Sequence, residues 1–254
     1  PVGRVASKLE VDVHVVCGQR TRIQNPVRVV KGLGIDVEDV AFNGRVAALP
    51  ILTSQLGEQG ALMIDLGAGT TEYSVYLGGA MCHTGVLAVG GEHVTNDLAV
   101  GMKLSQTRAE RLKLEHGSAV PDPRVSRRAV NFASDVGLDD KQVSVGHIQQ
   151  IMHARLDELF QLIRADLDQH GLLRRINGSV LLTGGGARLP QINLLAQQMF
   201  ELDVCLPHET EEAHEGGLLH QPECTAAMGL VKFGARQVRA RAHQRKGLLG
   251  WLTN

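Results

Sequence analysis

The chain has 254 residues, 43% of them hydrophobic, enough for one large or two small domains with real cores. A formal net charge of −1 gives no global case for nucleic-acid binding, and aromatic residues at 3% leave little material for base-stacking platforms. The four cysteines, Cys17, Cys82, Cys205 and Cys224, form no Cys-x-x-Cys pair, so they indicate neither a zinc site nor a disulfide framework and fit a reducing cytoplasm.

No signal-peptide pattern or apolar run long enough to span a membrane is present. The first residue is Pro1, in what reads as the end of a loop, and a fragment is expected. Lys8 to Val16 alternates, with Leu9, Val11, Val13 and Val15 on one face, which predicts a half-buried strand. Asn25-Pro26 reads as a helix cap followed by proline at the first helical position. Val27, Val30 and Leu33 follow at helical spacing, and Gly32 and Gly34 end the helix. Val37 to Phe42 reads as a short strand. Gly44 to Leu56 reads as a helix that Pro50 kinks or divides, with Val46, Ala47, Leu49 and Ile51 mostly buried.

The most informative stretch is Met63 to Glu72. An apolar run from Ala61 to Ile64 predicts a buried strand; it ends in Asp65, and Gly67-Ala68-Gly69-Thr70-Thr71 leads into a second strand, Tyr73 to Leu77. Glycines at such a hairpin tip let a ligand approach bare backbone N–H groups, which suits an anion such as phosphate. Asp65 at the strand end is placed to hold a hydrated divalent metal, Mg2+, and Thr70 and Thr71 offer hydroxyl donors. A dinucleotide fold or a P-loop would place a helix after the glycines, and neither pattern is completed here.

Gly78-Gly79 predicts a tight turn, Ala80 to Val89 a third strand, and Gly90-Gly91 the start of a helix reaching Met102, a second anion-friendly element. Ser105 to His116 reads as a helix, with Thr107 and Glu110 spaced as a capping box and Glu110 and Lys113 sharing a face. Gly117 to Val145 carries no clear period. Gly146 to His170 is a long amphipathic helix with a core-facing stripe from Ile148 to Leu167, closed by Gly171. Ser179 to Thr183 is a short strand running into Gly184-Gly185-Gly186 and a helix from Leu189 to Phe200, a third loop that exposes N–H groups. His208, His214 and His220 lie among Glu209, Glu211, Glu212 and Glu215. Their spacing of six aligns on no helix face, so a solvated acidic loop is expected there.

Gln221 to Ala235 reads as a helix in which Ala226, Ala227 and Gly229 permit close packing. After Glu223 there is no acidic residue, and Lys232, Arg236, Arg239, Arg241, Arg245 and Lys246 accumulate ahead of Leu248, Leu249, Trp251 and Leu252. A basic linker followed by a short apolar helix bearing tryptophan is a membrane-surface pattern.

Together these motifs resemble the actin-like ATPase superfamily: Asp65-Leu66-Gly67-Ala68-Gly69-Thr70-Thr71 its second phosphate loop, Ala109-Glu110-Arg111-Leu112-Lys113 its adenosine-lining helix, and Leu182-Thr183-Gly184-Gly185-Gly186-Ala187 its adenosine motif. Within it, His83-Thr84 and Val94-Thr95-Asn96-Asp97 are closest to the FtsA family of bacterial cell-division proteins. The resemblance implies an α/β actin-like (ribonuclease-H-like) ATPase fold, with the second lobe largely complete and the first partial. Residues 1–59 would be a remnant of the first lobe, 60–235 the second lobe with a variable 2B insertion near 117–145, and 236–254 a linker and membrane-targeting segment.

The resemblance further implies binding of ATP and Mg2+, through Asp65, Gly67, Gly69, Thr70, Thr71, Gly90, Gly91, Glu110, Lys113 and Gly184 to Gly186. Many members carry Glu-Pro where Asn43-Gly44 stand, so Asn43 is the candidate to position the attacking water, and hydrolysis is expected to be weak or absent. The family's first phosphate loop should lie before Pro1, so weak or no ATP binding by this chain alone is expected. The implied partners are the FtsZ C-terminal peptide on 2B, further copies in a filament, later division proteins and an anionic membrane surface. The last is met through Arg245, Lys246, Leu248, Leu249, Trp251 and Leu252 on the cytoplasmic face of the inner membrane, at the division site. A soluble relative, such as a pilus-assembly adaptor or a sugar-kinase-like phosphotransferase, is the alternative.

Overall fold

The computed structural model describes residues 5, 7–132, 141–207, 217 and 221–252, and the chain divides into two compact units, Pro1–Val40 and Ala41–Asn254. The acidic histidine segment from His208 to Glu215, and His220, lie outside the described residues.

In the first unit the one described helix is α1 (Arg20–Gly32), followed by Gly34 at φ +77°. The expected strand from Lys8 to Val16 is not formed: no described strand pairs with it, and Leu9, Val11, Val13 and Val15 are exposed. Alternation marks a segment fit for a sheet, but a strand exists only with a neighbour to hydrogen-bond. The expected start at Asn25-Pro26 is also corrected. The helix begins at Arg20 with Gln19 as its cap, and Pro26 lies inside it. Arginine and glutamine are good helix formers, and they extend the helix upstream of the proline. Val37 to Phe42 likewise joins no ladder.

The second unit is a three-layer α/β/α body. Pro50 does divide the expected helix: α2 (Asn43–Val46) and α3 (Ser54–Gln59) are separated by turns, and the Thr53 hydroxyl caps α3 by accepting from Leu56 N–H at 3.2 Å. Then come β1 (Ala61–Leu66), β2 (Thr71–Leu77), β3 (Ala80–Leu87), α4 (Gly91–Met102) and α5 (Gln106–His116). A small antiparallel hairpin, β4 (Ala129–Phe132) and β5 (Lys141–Ser144), precedes α6 (Val145–Gln169). The chain continues through β6 (Ser179–Thr183), a 3-10 turn at Gly185–Arg188, α7 (Ile192–Phe200), β7 (Asp203–Cys205) and α8 (Thr225–Leu252). The main sheet runs β3-β2-β1-β6-β7, with β1 antiparallel to β2 and parallel to β6.

β1 is buried throughout because both sheet faces are covered. Leu62, Ile64 and Leu66 join Tyr73, Val75, Val180 and Leu182 in the larger core, which α4, α6 and α7 complete with Leu98, Met152, Phe160, Ile163 and Leu195. Ala61 and Met63 point the other way, to Ala47, Ala48, Ile51, Tyr76 and Leu181. Each such fully buried Leu or Ile contributes about 1.5–3 kcal/mol. On that second face α8 lies against α2 at Gly229, where any Cβ would run into the Val46 carbonyl, so the small-residue reading holds at Gly229. The expected break between a connecting helix and a basic linker is absent: the backbone is helical from Thr225 to Leu252.

Candidate functional site

The alternation along β1 decides where its last carboxylate goes. Asp65 shares the face of Ala61 and Met63, so it emerges beneath the start of α2, with its Oδ2 3.5 Å from the Asn43 side-chain nitrogen. It is 8% exposed, and burial pushes its carboxyl above the usual range. Gly184, at φ +81°, closes over it: a Cβ there would collide with Asp65 Oδ1 and meet the Leu66 carbonyl at 2.5 Å. A residue with a side chain is excluded twice, by the left-handed backbone and by the carboxylate.

Between β1 and β2 the chain turns tightly, with Gly67 N–H donating to the Thr70 carbonyl at 3.0 Å, and Ala68, Gly69 and Thr70 form an exposed apex. Thr71 does not join them. It is fully buried and its hydroxyl donates to the Val89 carbonyl at 2.8 Å, so its expected place among ligand donors is corrected to a bond within the β-meander. The Gly90-Gly91 turn is corrected in the same sense. Gly91 and Glu92 N–H groups donate to the Gly67 and Ala68 carbonyls at 3.0 and 2.9 Å, and Gly90 N–H donates to His93 Nδ1 at 3.1 Å. The start of α4 therefore braces the hairpin loop from behind, and a Cβ at Gly90 would meet both loop carbonyls at 2.5 Å.

The expected capping box on α5 is not formed either. Ser105 is the cap, Thr107 lies within the helix, and the Glu110 carboxylate is engaged elsewhere. It accepts from Lys113 Nζ at 2.7 Å and from the Thr95 hydroxyl at 2.5 Å. Lys113, 8% exposed, also donates to the Gly91 carbonyl at 3.1 Å and to Thr95 Oγ1 at 2.9 Å, so its three N–H groups are all engaged, one within α5 and two tying α5 to α4. Burial works against the Glu110 charge, but hydrogen bonds from Lys113 and Thr95 and the Lys113 charge outweigh it and hold the carboxyl below its usual range.

The third wall follows β6. Gly184 N–H and the Thr183 hydroxyl both donate to the Pro222 carbonyl, at 3.0 and 2.9 Å, fixing the glycine turn to the root of α8. Arg188 adds a two-bond pair with Glu223, at 2.8 and 2.7 Å. The turn is a 3-10 segment, and α7 starts at Ile192, three residues later than expected.

These three walls enclose a cavity of about 460 Å³, within the usual size range of a small-molecule site. Gly67 and Ala68, Gly91 and Glu92, Glu110 and Lys113, and Gly185, Gly186 and Arg188 line it. Gly185 is exposed into open space, with nothing near a Cβ built upon it. Gly67, Gly91, Glu110, Lys113, Gly185 and Gly186, which the sequence names in separate motifs, thus line one cavity, while Asp65 and Gly184 are not part of its lining and lie against each other at the ends of β1 and β6. Glu72 went unnoticed. It stands opposite Asp65 in the β1–β2 register and accepts from Gly44 N–H at 3.0 Å, and counting back across the hairpin would have found it. The side chains of Arg245, Lys246, Leu248, Leu249, Trp251 and Leu252 lie outside the described residues, though their backbone is helical.

A sheet of this order bearing two glycine turns at the ends of parallel neighbours, with a connecting helix on its second face, is the actin-like ATPase fold. MreB5 of Spiroplasma citri bound to ADP superposes with a TM-score of 0.71 at 20% identity over 89% of this chain and 68% of its own. A PilM–PilN type IV pilus biogenesis complex does so at 0.62 and 19%, over 84% of this chain and 57% of its own. The family model for cell division protein FtsA matches residues 62–229, and the chain belongs to that family. The cell division protein FtsA of Borreliella burgdorferi is 31% identical over 240 residues, 93% of this chain and 58% of the relative. The chain spans about half the length of the curated relatives it matches.

Proposed function

We propose that this chain supplies most of the second lobe, and part of the first, of a cell-division protein. That protein binds ATP, forms actin-like filaments, anchors the FtsZ ring to the cytoplasmic face of the inner membrane at the division site and recruits later division proteins. The observation that carries this reading is the cavity walled by the Gly67–Ala68 turn, the Glu110–Lys113 helix and the Gly185–Gly186 turn. In it the Gly67–Ala68 turn would face the phosphates, Glu110 would present its half-exposed carboxylate to the ribose and base, and the glycine turn would let the nucleoside lie against backbone.

Asp65, with Glu72 opposite, is an all-oxygen donor pair suited to hydrated Mg2+, which would neutralise phosphate charge beside the loop. Asn43 is the side chain placed to orient water next to Asp65. An amide cannot accept a proton as a carboxylate does, so turnover is expected to be slow or absent. In this reading residues 117–145, with the β4–β5 hairpin, receive the FtsZ C-terminal peptide, and the cationic end of α8 meets anionic lipid. Among the described residues no helix is long and apolar enough to cross a membrane.

The deciding experiment is calorimetric titration of the chain with MgATP, alongside Gly185→Val. That substitution adds a side chain at a cavity-lining position where a Cβ has no protein atom within 4 Å. Saturable heat in the wild type, however weak, that disappears in a variant with unchanged thermal unfolding supports the site. Equal saturable heats in the two overturn it.

A further inference from the structure

A second constellation lies away from the cavity, where the edge strand β3 meets the last turns of α6. The strand register puts His83 opposite Val75, on the sheet face that α6 covers. Asp166 and His170, four apart, occupy one face near the end of α6, with His170 as its capping residue. His83 Nε2 lies 2.6 Å from Asp166 Oδ2, and His170 Nδ1 lies 3.4 Å from Asp166 Oδ1. The two imidazole rings are 4.5 Å apart, and one donor atom from each of the three residues falls within 4.8 Å of the others. Side-chain exposures of 18% for His83, 29% for Asp166 and 46% for His170 leave the cluster reachable from solvent.

The surroundings are built to hold the carboxylate. The Tyr73 hydroxyl donates to Asp166 Oδ2 at 2.7 Å. Its ring reaches there only by crossing Gly85, its partner on β3, where any Cβ would collide with the phenol. Metal sites use such an outer hydrogen bond to fix the orientation of a ligating carboxylate.

We propose that His83, Asp166 and His170 form a binding site for one transition-metal dication of the zinc class, with solvent as the fourth ligand and Tyr73 orienting the carboxylate. Two imidazoles and a carboxylate favour Zn2+ and its borderline neighbours over Mg2+ or Ca2+, which prefer all-oxygen shells. A tetrahedral ion with bonds of about 2.0–2.1 Å needs ligand atoms roughly 3.3 Å apart. His83 and Asp166 therefore have to part by less than about 1 Å, and the half-exposed His170 has to exchange its 2.8 Å contact with the Asp166 backbone carbonyl for the ion. The bound ion cross-links the edge strand to the end of the longest core helix. The site is independent of nucleotide, and it stands or falls separately from the function proposed above.

The test is calorimetric titration of the metal-free chain with Zn2+, followed by Co2+ absorption. One ion per chain is expected, with visible bands of nitrogen and oxygen ligation and no thiolate charge-transfer band. His170→Ala and His83→Ala should each weaken binding by more than about tenfold, and Tyr73→Phe by about tenfold with the stoichiometry kept. The three histidines of the acidic segment are controlled by a triple His208→Ala, His214→Ala, His220→Ala variant, which should bind as the wild type does. His170 is half-exposed, so its variant keeps the fold and decides the matter even where His83→Ala proves unstable. Absence of saturable binding overturns the proposal, as does binding that survives in His170→Ala or depends on His208, His214 and His220.

Discussion

Asp65 and Glu72 stand directly opposite each other across the β1–β2 ladder, two carboxylates on the sheet face that α2 covers. Like charges in register repel. Burial raises the Asp65 carboxyl above its ordinary 3.8; burial first, and then the Asp65 charge, raises Glu72 above 4.5 against the pull of the Gly44 N–H. The folded chain thus holds these protons longer than the unfolded chain. The pair is harmless to stability below those ordinary values and costs stability as the pH climbs through the higher folded ones. Glu72→Gln, which can still accept from Gly44, should stabilise the fold near neutral pH by about 0.5 kcal/mol, a small figure because water screens the half-buried Glu72. Thermal unfolding of both proteins between roughly pH 4 and pH 8 should show the curves meeting at the acid end and parting above it. A constant offset would contradict this account.

Lys113 is a structural cation before it is a ligand. Replacing it with methionine keeps the stem but removes the charged donor from the Gly91 carbonyl, Thr95 Oγ1 and the buried side of the Glu110 carboxylate, leaving the Thr95 hydroxyl to serve both acceptors. A loss of about 2 kcal/mol in urea unfolding is expected, together with weaker nucleotide binding. Unchanged stability with lost binding would mean that the network reforms without the lysine.

The contact between α2 and α8 turns on one missing methyl. Gly229→Val would drive its Cβ into the Val46 carbonyl, and a destabilisation of about 1–3 kcal/mol is expected. Guanidinium unfolding measures it, and a change under about 0.5 kcal/mol would show that the helix shifts aside at no cost.

Lipid binding should reside in the end of α8. A chain ending at Ala235 keeps Gly229 and the Arg45 contact with the Phe233 ring at 5.5 Å, so its fold should survive. Sedimentation with anionic liposomes should pull down the full chain and leave the shortened one in solution. Basic residues near such a surface contribute about 1 kcal/mol each, and salt should weaken the interaction. Equal sedimentation of the two would remove the membrane role from this segment.

The sequence made the second unit's sheet readable because its signals are local. Ala61 to Ile64, Ser179 to Thr183 and the stripe of α6 fall where periodicity puts them, and both glycine turns sit at strand ends. What stayed hidden depends on partners distant in the chain. Lys8 to Val16 alternates as well as any strand but has no neighbouring ladder among the described residues. β7 is too short to announce itself and exists by pairing with β6. Within the site, the glycines were visible by type. That Thr71 and the Gly90-Gly91 N–H groups are spent on Val89 and on the hairpin loop could be known only once β3 and α4 were folded beside them. The meeting of His83 with Asp166, 83 positions apart, left no local trace.

The unbroken α8 makes the chain's end a boom. At a rise of about 1.5 Å per residue, its 28 residues extend about 42 Å, and about 35 Å of that lies beyond the Gly229 clamp. Whatever the tip touches is held at a set stand-off and bearing from the sheet. One residue inserted past the clamp would swing the tip's contact face by about 100° while lengthening the reach by only about 1.5 Å. Rotation, far more than distance, is the quantity this geometry controls.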